Sequence, residues 1–523
     1  MKKILFICAL VGTWQVRAQD VSITFSSPFS LRDKGLTQKE GNTFRAGDFY
    51  YCMETQSAGT QLDVQAKRKV AKYNVNLYKF DSTMKLLDKA AIDGQGGLGP
   101  FPPAHVLFAG KLLVFYYKVS DMGDVRLQFS AVDERTMAVS AAQELKLVPE
   151  KGAGLIDVKN SFDLDRLSIG FNADSTKLLV VLSGADIEVF CTTVIGQELT
   201  FGKPVILPWK SDLKDFVMGA ICLDAAGNKY LTYDYVEKYK RHHGLILQSA
   251  AGKETWPDLQ FPEGVTTAGL LWVRPSRDNS KVYVYGIAKG DMRMQYEVGV
   301  LLATVDVARF RLGNVKFFPY PEDLRENLHK MDYAERIHGD LEVKNAFYVS
   351  SELEDGTLAL TGYPEDVEQS AHKSHVDGST SLSSTVFAGP IINVFIKDGK
   401  GSFGVIYRSQ ELTNASMFIA APYHNKLVCI YNDSEVNIGS DDSRVNGKKY
   451  GAKALVLAVA VLSSDGTIVS RKKLADKQGH LTCFIADQQP LPHRSFLMPL
   501  GQDNLSLIRY FTEYEQWAAI SIQ

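Results

Sequence analysis

Apolar and polar positions alternate with period two through most of this chain. Asn74-Val75-Asn76-Leu77-Tyr78-Lys79-Phe80 breaks at Asp81-Ser82 and resumes at Met84-Lys85-Leu86-Leu87. Arg126-Leu127-Gln128-Phe129-Ser130-Ala131-Val132 breaks at Asp133-Glu134 and continues through Met137. Similar pairs run 187–207, 245–261, 298–318, 391–406 and 454–474. This period, with Asp, Gly, Asn or Ser at the breaks, predicts half-buried antiparallel strands joined as hairpins.

A second element stands before each hairpin: a tight polar turn, then a β-branched or aromatic strand. Phe171-Asn172-Ala173-Asp174-Ser175-Thr176-Lys177-Leu178-Leu179-Val180-Val181 is the clearest copy. Leu223-Asp224-Ala225-Ala226-Gly227-Asn228-Lys229-Tyr230-Leu231 and Pro275-Ser276-Arg277-Asp278-Asn279-Ser280-Lys281-Val282-Tyr283 repeat it. Looser copies begin at Gly47, Phe108, Glu354 and His424, which makes seven unit-plus-hairpin sets. An eighth unit, Gly501 to Tyr510, is followed by only one strand, Trp517 to Ile522. Its missing strand is expected at the other end of the chain, in Val21-Ser22-Ile23-Thr24-Phe25.

Four strands repeated about every 60 residues predict an all-β fold, a β-propeller of four-stranded antiparallel blades. Eight blades are expected, with Val21–Phe25 as the outer strand of a blade built from 482–522. Seven blades with a separate terminal hairpin is the alternative. Pairing the two termini would remove two open sheet edges at once. The aromatic-polar-x-Asp-x-x-x-aliphatic phrase resembles the repeats of TolB-type and WD-repeat propellers. The resemblance spans nearly all of residues 19–523, although no copy ends in Trp-Asp, and it implies a single propeller domain.

Two stretches break the rhythm. Within 319–345, Pro321 to Ile337 has Pro in a first turn, acids beside it, and Leu324, Leu328 and Met331 on one face. That pattern predicts a short amphipathic helix, which must cover either the ring or a partner. The stretch 364–385 is Ser-rich and bears histidines, and it reads as a polar loop. Both flank the unit at Glu354, so partner binding is expected to depend on that blade.

Met1-Lys2-Lys3, the apolar run Ile4 to Gly12, and Ala18 before Gln19 read as a secretory signal peptide over 1–18. The protein is therefore expected to be exported: periplasmic, at the cell surface or secreted. Ala454 to Leu462, the longest later apolar run, fits a buried strand and is short of the ~20 residues a membrane helix needs. With 58 basic and 60 acidic residues, no charge footprint points to nucleic acid. Beyond Cys8 the cysteines (Cys52, Cys191, Cys222, Cys429, Cys483) are odd in number and widely spaced, which excludes a disulfide framework.

Chemistry-bearing motifs are sparse. Gly94-Gln95-Gly96-Gly97-Leu98-Gly99 spells a dinucleotide fingerprint, but Pro100-Phe101-Pro102-Pro103 follows where a helix must begin. No cofactor is expected. Nucleophile-elbow, zincin and P-loop signatures are absent. His242-His243 would point to opposite faces of a strand, a poor chelate. His372 and His375 are the metal candidates, with no acid or Cys spaced to complete a site. Ser440 to Gly447 is oxygen-rich but lacks calcium-loop spacing. Asp163 and Asp165 flank Leu164 and would share one side of a strand, the arrangement acid–base chemistry could use. Ser276 to Tyr283 partly resembles the Asp-box turn of sialidase-type propellers, which is structural in that family.

The leading expectation is a monomeric, non-catalytic propeller that binds a protein or carbohydrate partner through loops on one face. The alternative is a propeller-type glycan hydrolase or lyase whose carboxylates come from several blades.

Overall fold

The computed structural model describes residues 21–25, 42–46, 49–63, 68–81, 85–92, 104–119, 125–145, 167–182, 189–202, 205–208, 214–238, 240–267, 269, 271–290, 297–326, 328, 346–363, 365–373, 380–408, 410–411, 418–438, 455–475, 498–499, 504–510 and 515–522. These fold almost wholly as antiparallel strands. Sheet 1 runs Asn42–Ala46, Phe49–Asp63, Arg68–Phe80, Leu86–Ile92, and sheet 2 runs Ala104–Phe108, Lys111–Val119, Val125–Asp133, Gln143–Glu144. Sheet 3 comprises Leu167–Phe171, Lys177–Leu182, Val189–Gly196, Val205–Pro208, and sheet 4 Lys214–Leu223, Lys229–Glu237, Lys240–Gln248, Glu254–Thr255. Within each, strands pair in chain order.

Sheet 5 keeps this plan with its outer members broken. Val265–Thr267 and Trp272–Pro275 share the edge of Lys281–Gly290, while Arg311–Leu312 and Lys316–Pro319 share that of Glu297–Asp306. Sheet 6 is Ala346–Glu352, Leu358–Tyr363, Ile391–Lys397, Lys400–Ile406, and sheet 7 is Phe418–Tyr423, Lys426–Ser434, Leu455–Ser463, Ile468–Ala475. Sheet 8 joins Met498–Pro499, Asn504–Tyr510 and Glu515–Ile522 to Val21–Phe25, with Val21 opposite Ile522 and Phe25 opposite Ala518. The expected closure is therefore present: the two ends of the chain share one sheet, and the N-terminal strand is its outermost member.

The sheets pack face to face in sequence order, as propeller blades do. Val114 and Tyr116 of sheet 2 lie on Met53 and Leu77 of sheet 1, and Phe108 meets Phe171 of sheet 3 at 6.2 Å. Leu179 and Val181 pack on Leu231 and Ile246, Leu245 and Leu247 on Val282 and Val284, Tyr285 and Val300 on Leu360 and Val394. Phe395 and Ile406 then pack on Leu427 and Ala460. Both faces of a blade are covered, so its middle strands read as unbroken apolar runs. Val456 to Leu462 is buried throughout, as its sequence predicts. Cys52, Cys222 and Cys429 are buried, small apolar residues in these strands.

The repeated phrase is a turn device. Asp174 accepts from the Thr176 N–H and hydroxyl, Asp278 from the Ser280 N–H and the Ser276 hydroxyl, and Asp355 from the Thr357 N–H. The residue after each Asp takes a left-handed conformation: Ser175 at φ 54°, Asn279 at 57°, Gly356 at 79°. A carboxylate that organises its own turn lets these hairpins close tightly. All join a first strand to a second. The third-to-fourth turn of sheet 7 repeats the device with Ser463, Asp465 and Thr467. This defines a turn end of the blades; second-to-third connections and links between sheets lie at the opposite, loop end.

Both rhythm-breaking stretches are at the loop end. Residues 322–326 and 328 are helical, and Leu324 and Leu328 are buried against Tyr320 and Val394, so the helix covers the ring. The expectation of a polar loop over 364–385 needs correction. Glu365–Lys373 and Thr380–Ala388 form a hairpin whose second strand also pairs Gln410–Glu411. Serines and threonines suit a pleated strand when a cross-strand partner exists, and that pairing is invisible to composition. Segments 1–18, 94–99 and 440–447 lie outside the described residues, as does Met331.

Candidate functional site

The loop end of sheet 4 carries a row of rings. His242 stacks on Tyr235 at 4.7 Å and 10°, Tyr235 on Tyr233 at 6.0 Å and 24°, and Tyr233 on Phe216 at 5.5 Å and 10°. Trp256 closes on Tyr233 at 5.4 Å and 51°. The cause is strand geometry: Tyr233 and Tyr235 are two apart and share a face, and register sets His242 opposite Tyr235. Gly244 stands opposite Tyr233, and a Cβ there would collide with the tyrosine ring. Glycine at this position lets the ring lie across the third strand.

Asp258 organises the row. Pro257 to Leu259 runs back along the third strand, with Leu245 N–H donating to Pro257 O and Leu259 N–H to His243 O. The Asp258 carboxylate then accepts from Tyr233 and Tyr235 hydroxyls, each at 3.1 Å. Burial, followed by the Asp258 charge, pushes the Tyr235 phenol up to about 12 and raises Tyr233 further. His242 lies 4.0 Å from both Asp258 and Glu237 oxygens. Phe216, Trp256 and His242 remain partly exposed.

The opposite face of the same strands holds a buried pair. His243 Nδ1 meets Asp234 Oδ1 at 2.6 Å, with side chains only 2% and 4% exposed. The expectation that the two histidines face opposite ways is met, and each has a carboxylate of its own. His243 Nε2 and Asp234 Oδ2 find no hydrogen-bond partner among the described residues. Beside them the innermost strand of sheet 4 carries two register shifts, between Lys214 and Val217 and between Met218 and Ile221. The innermost strand of sheet 5 is broken after Thr267. Such irregularities re-aim side chains near sites.

A second polar cluster at this end is structural. Arg471 donates to Asp433 at 2.7 Å and to the Tyr431 hydroxyl at 2.8 Å, while Asn437 of the short helix Glu435–Ile438 donates to Asp433 at 2.9 Å. Arg408 lies over the Tyr363 and Tyr431 rings, and Tyr407 donates to Asp323 at 2.7 Å, anchoring the helical segment. Asp433 and Arg408 are almost fully buried, so this network holds elements together.

Of the site residues expected from sequence, Asp163 and Asp165 lie outside the described residues, as does His375. His372 falls in strand Glu365–Lys373, opposite Ser381. Among the described residues no group of three His, Cys, Asp or Glu is placed to hold a metal. The ring row and the Asp234–His243 pair escaped the sequence reading. The available signal was Tyr233-x-Tyr235 followed by His242 across a hairpin turn, but Trp256 and Asp258 join it only through the fold.

No protein-family model matches the sequence, and comparison with curated proteins finds no match. Solved structures with similar backbones include a prolyl endopeptidase (13% identity, 79% of this chain and 46% of that one, TM-score 0.35). Another is the β-propeller domain of the trilobed protease from Pyrococcus furiosus (12% identity, 84% and 100%, TM-score 0.34). A third is the periplasmic gluconolactonase of Pseudomonas aeruginosa (12% identity, 66% and 85%, TM-score 0.29). The chain thus spans under half the length of the prolyl endopeptidase.

Proposed function

We propose that this protein is an exported, eight-bladed, non-catalytic propeller that binds a protein or glycan partner on its loop end. The observation that carries this reading is where the chain spends its extra length. The helix at 322–328, the hairpin 365–388, the prolonged second and third strands of sheet 1 and the helix Glu435–Ile438 all sit at that end. Connections between strands at the other end span nine residues at most. Long connections in repeat folds gather on the binding face. The partly exposed Phe216, Trp256 and His242 supply a surface for a sugar ring or an apolar side chain there.

The test is a Trp256→Ala, Phe216→Ala double variant beside the parental mature chain. Glycan-array binding and crosslinked partners from the host envelope are compared after circular dichroism confirms the fold. Loss of a glycan or partner signal supports the reading; an unchanged profile moves recognition away from this surface. Export is tested by intact mass: a chain starting at Gln19 is expected, and an exported product retaining Met1 to Ala18 overturns it. Among the described residues the glycan-cleaving alternative has the buried Asp234–His243 pair and, on the opposite face of those strands, Asp258 and Glu237 beside His242. It needs several acids gathered in one place, and Asp433 and Asp323 are already engaged elsewhere.

A further inference from the structure

We propose that two copies of this chain join edge to edge through strand Glu365–Lys373, antiparallel, about a twofold axis at Gln369. Such a dimer would form independently of any partner at the ring row and replaces the monomer expected from the sequence.

The first observation is an open edge. In the three-stranded sheet at the loop end, Glu365–Lys373 is the outer member, paired on one side to Thr380–Ala388 and on the other to nothing among the described residues. Along this nine-residue strand the backbone N–H and C=O of every second residue face away from Thr380–Ala388, towards the open edge. Edges of this length are normally blunted by Pro, Gly-bearing bulges or like charges. This strand has no Pro, no Gly and no register shift across all nine pairs.

The second observation is its charge order. Glu365-Asp366-Val367-Glu368-Gln369-Ser370-Ala371-His372-Lys373 is acidic at one end and basic at the other. Within the hairpin these charges stand opposite neutral residues: Glu365 opposite Ala388, Asp366 opposite Phe387, Glu368 opposite Thr385, Lys373 opposite Thr380. An antiparallel second copy centred on Gln369 places Glu365 opposite Lys373, Asp366 opposite His372, Val367 opposite Ala371 and Glu368 opposite Ser370. The twofold repeats each match. Sliding the centre to Glu368 would oppose two like carboxylates, and sliding it to Ser370 would set Lys373 opposite Val367, so the Gln369 register matches opposite charges best. Opposite charges directly across an antiparallel pair stabilise it and like charges oppose it.

The ribbon of sheet 1 is the internal control. Residues 54–63 and 68–74 run on past the short outer strands of that sheet, leaving two more open edges among the described residues. One edge carries a register shift between Ser57 and Gly59, and the other Arg68, Lys69 and Lys72. Those are devices that prevent pairing. The 365–373 edge is charged as well, but its acidic and basic halves complement each other in an antiparallel second copy.

One nine-residue strand pair is smaller than the roughly 1,200–2,000 Å² of a standard stable interface, so a concentration-dependent dimer is expected. Sedimentation velocity of the mature chain across a wide concentration range at low salt reads it directly. The parental chain should dimerise, and Lys373→Glu or Glu365→Lys should each weaken the dimer at least about tenfold. The Glu365→Lys, Lys373→Glu double variant restores opposite charges and should recover it. Circular dichroism guards against unfolding. A parental chain that stays monomeric at every concentration overturns the proposal, as does a Lys373→Glu variant that dimerises like the parent or a double variant no better than the singles.

Discussion

The two ends of the blades obey different rules. At the turn end, Asp174, Asp278, Asp355 and Asp465 perform the same task in four hairpins, each collecting neighbouring N–H or hydroxyl donors within a few residues. Among the described residues the loop end shows no such repeat: sheet 1 has a long ribbon, sheet 4 a row of rings, sheet 6 a second hairpin, and sheet 7 a short helix. The repeat in the sequence is therefore the record of one face of the molecule. A local device can be copied from blade to blade because its partners travel with it. Loop-end features are assembled from separated segments and are free to differ.

Sheet 8 joins the first and last strands, and breaking it should have the largest effect. Deleting Trp517 to Gln523 removes the strand between Val21–Phe25 and Asn504–Tyr510. Thermal denaturation should show the whole ring destabilised; a truncated protein that melts at the parental temperature would contradict closure by this sheet.

The structural part of the loop end should be nearly as sensitive. Asp433→Ala leaves the partly buried Arg471 against Tyr431 without its carboxylate, and stranding such a charged donor costs about 1–3 kcal/mol. Urea denaturation measures this, and a loss below about 1 kcal/mol would mean the network is solvated. Gly244→Ala tests the ring row. Its methyl meets the Tyr233 ring, so about 1–3 kcal/mol of overpacking cost is expected, with the near-ultraviolet tyrosine and tryptophan signal changed.

Turn-end carboxylates should act individually weakly and collectively with pH. Hydrogen bonds from Ser276 first, then Ser280, hold Asp278 down at about 2. Asp133, Asp174 and Asp465 are lowered too, chiefly by Thr136, Thr176 and Ser463. Folded values below the unfolded carboxylate value near 3.9 mean that the stabilisation is complete above about pH 4 and lost as pH falls towards 2. Asp278→Asn, exposed as it is, should cost about 1 kcal/mol at pH 7 and flatten that acid slope slightly. An acid melt identical to the parent's would remove the turn from the account.

Replacing 365–388 with a short Gly-Ser linker should have the smallest effect on the ring, since the second and third strands of sheet 6 pair directly without it. A melting temperature within a few degrees of the parent is expected. A large drop would make the hairpin part of the fold and blur the contrast between the two ends.

Sequence alone determined the strands, their four-fold grouping and the pairing of the two chain ends. Period-two alternation and Asp-centred turns are local, and an orphan strand at each terminus has one economical partner. It also implied that His242 and His243 diverge, because neighbours on a strand must. Tertiary structure decided what those side chains meet. Asp258 reaches Tyr233 and Tyr235 only because Pro257 to Leu259 folds back along the third strand. It also decided that 364–385 pairs as a hairpin and that Leu324 and Leu328 cover the ring. Polar strands and amphipathic helices state that a partner is required, and only the fold supplies one.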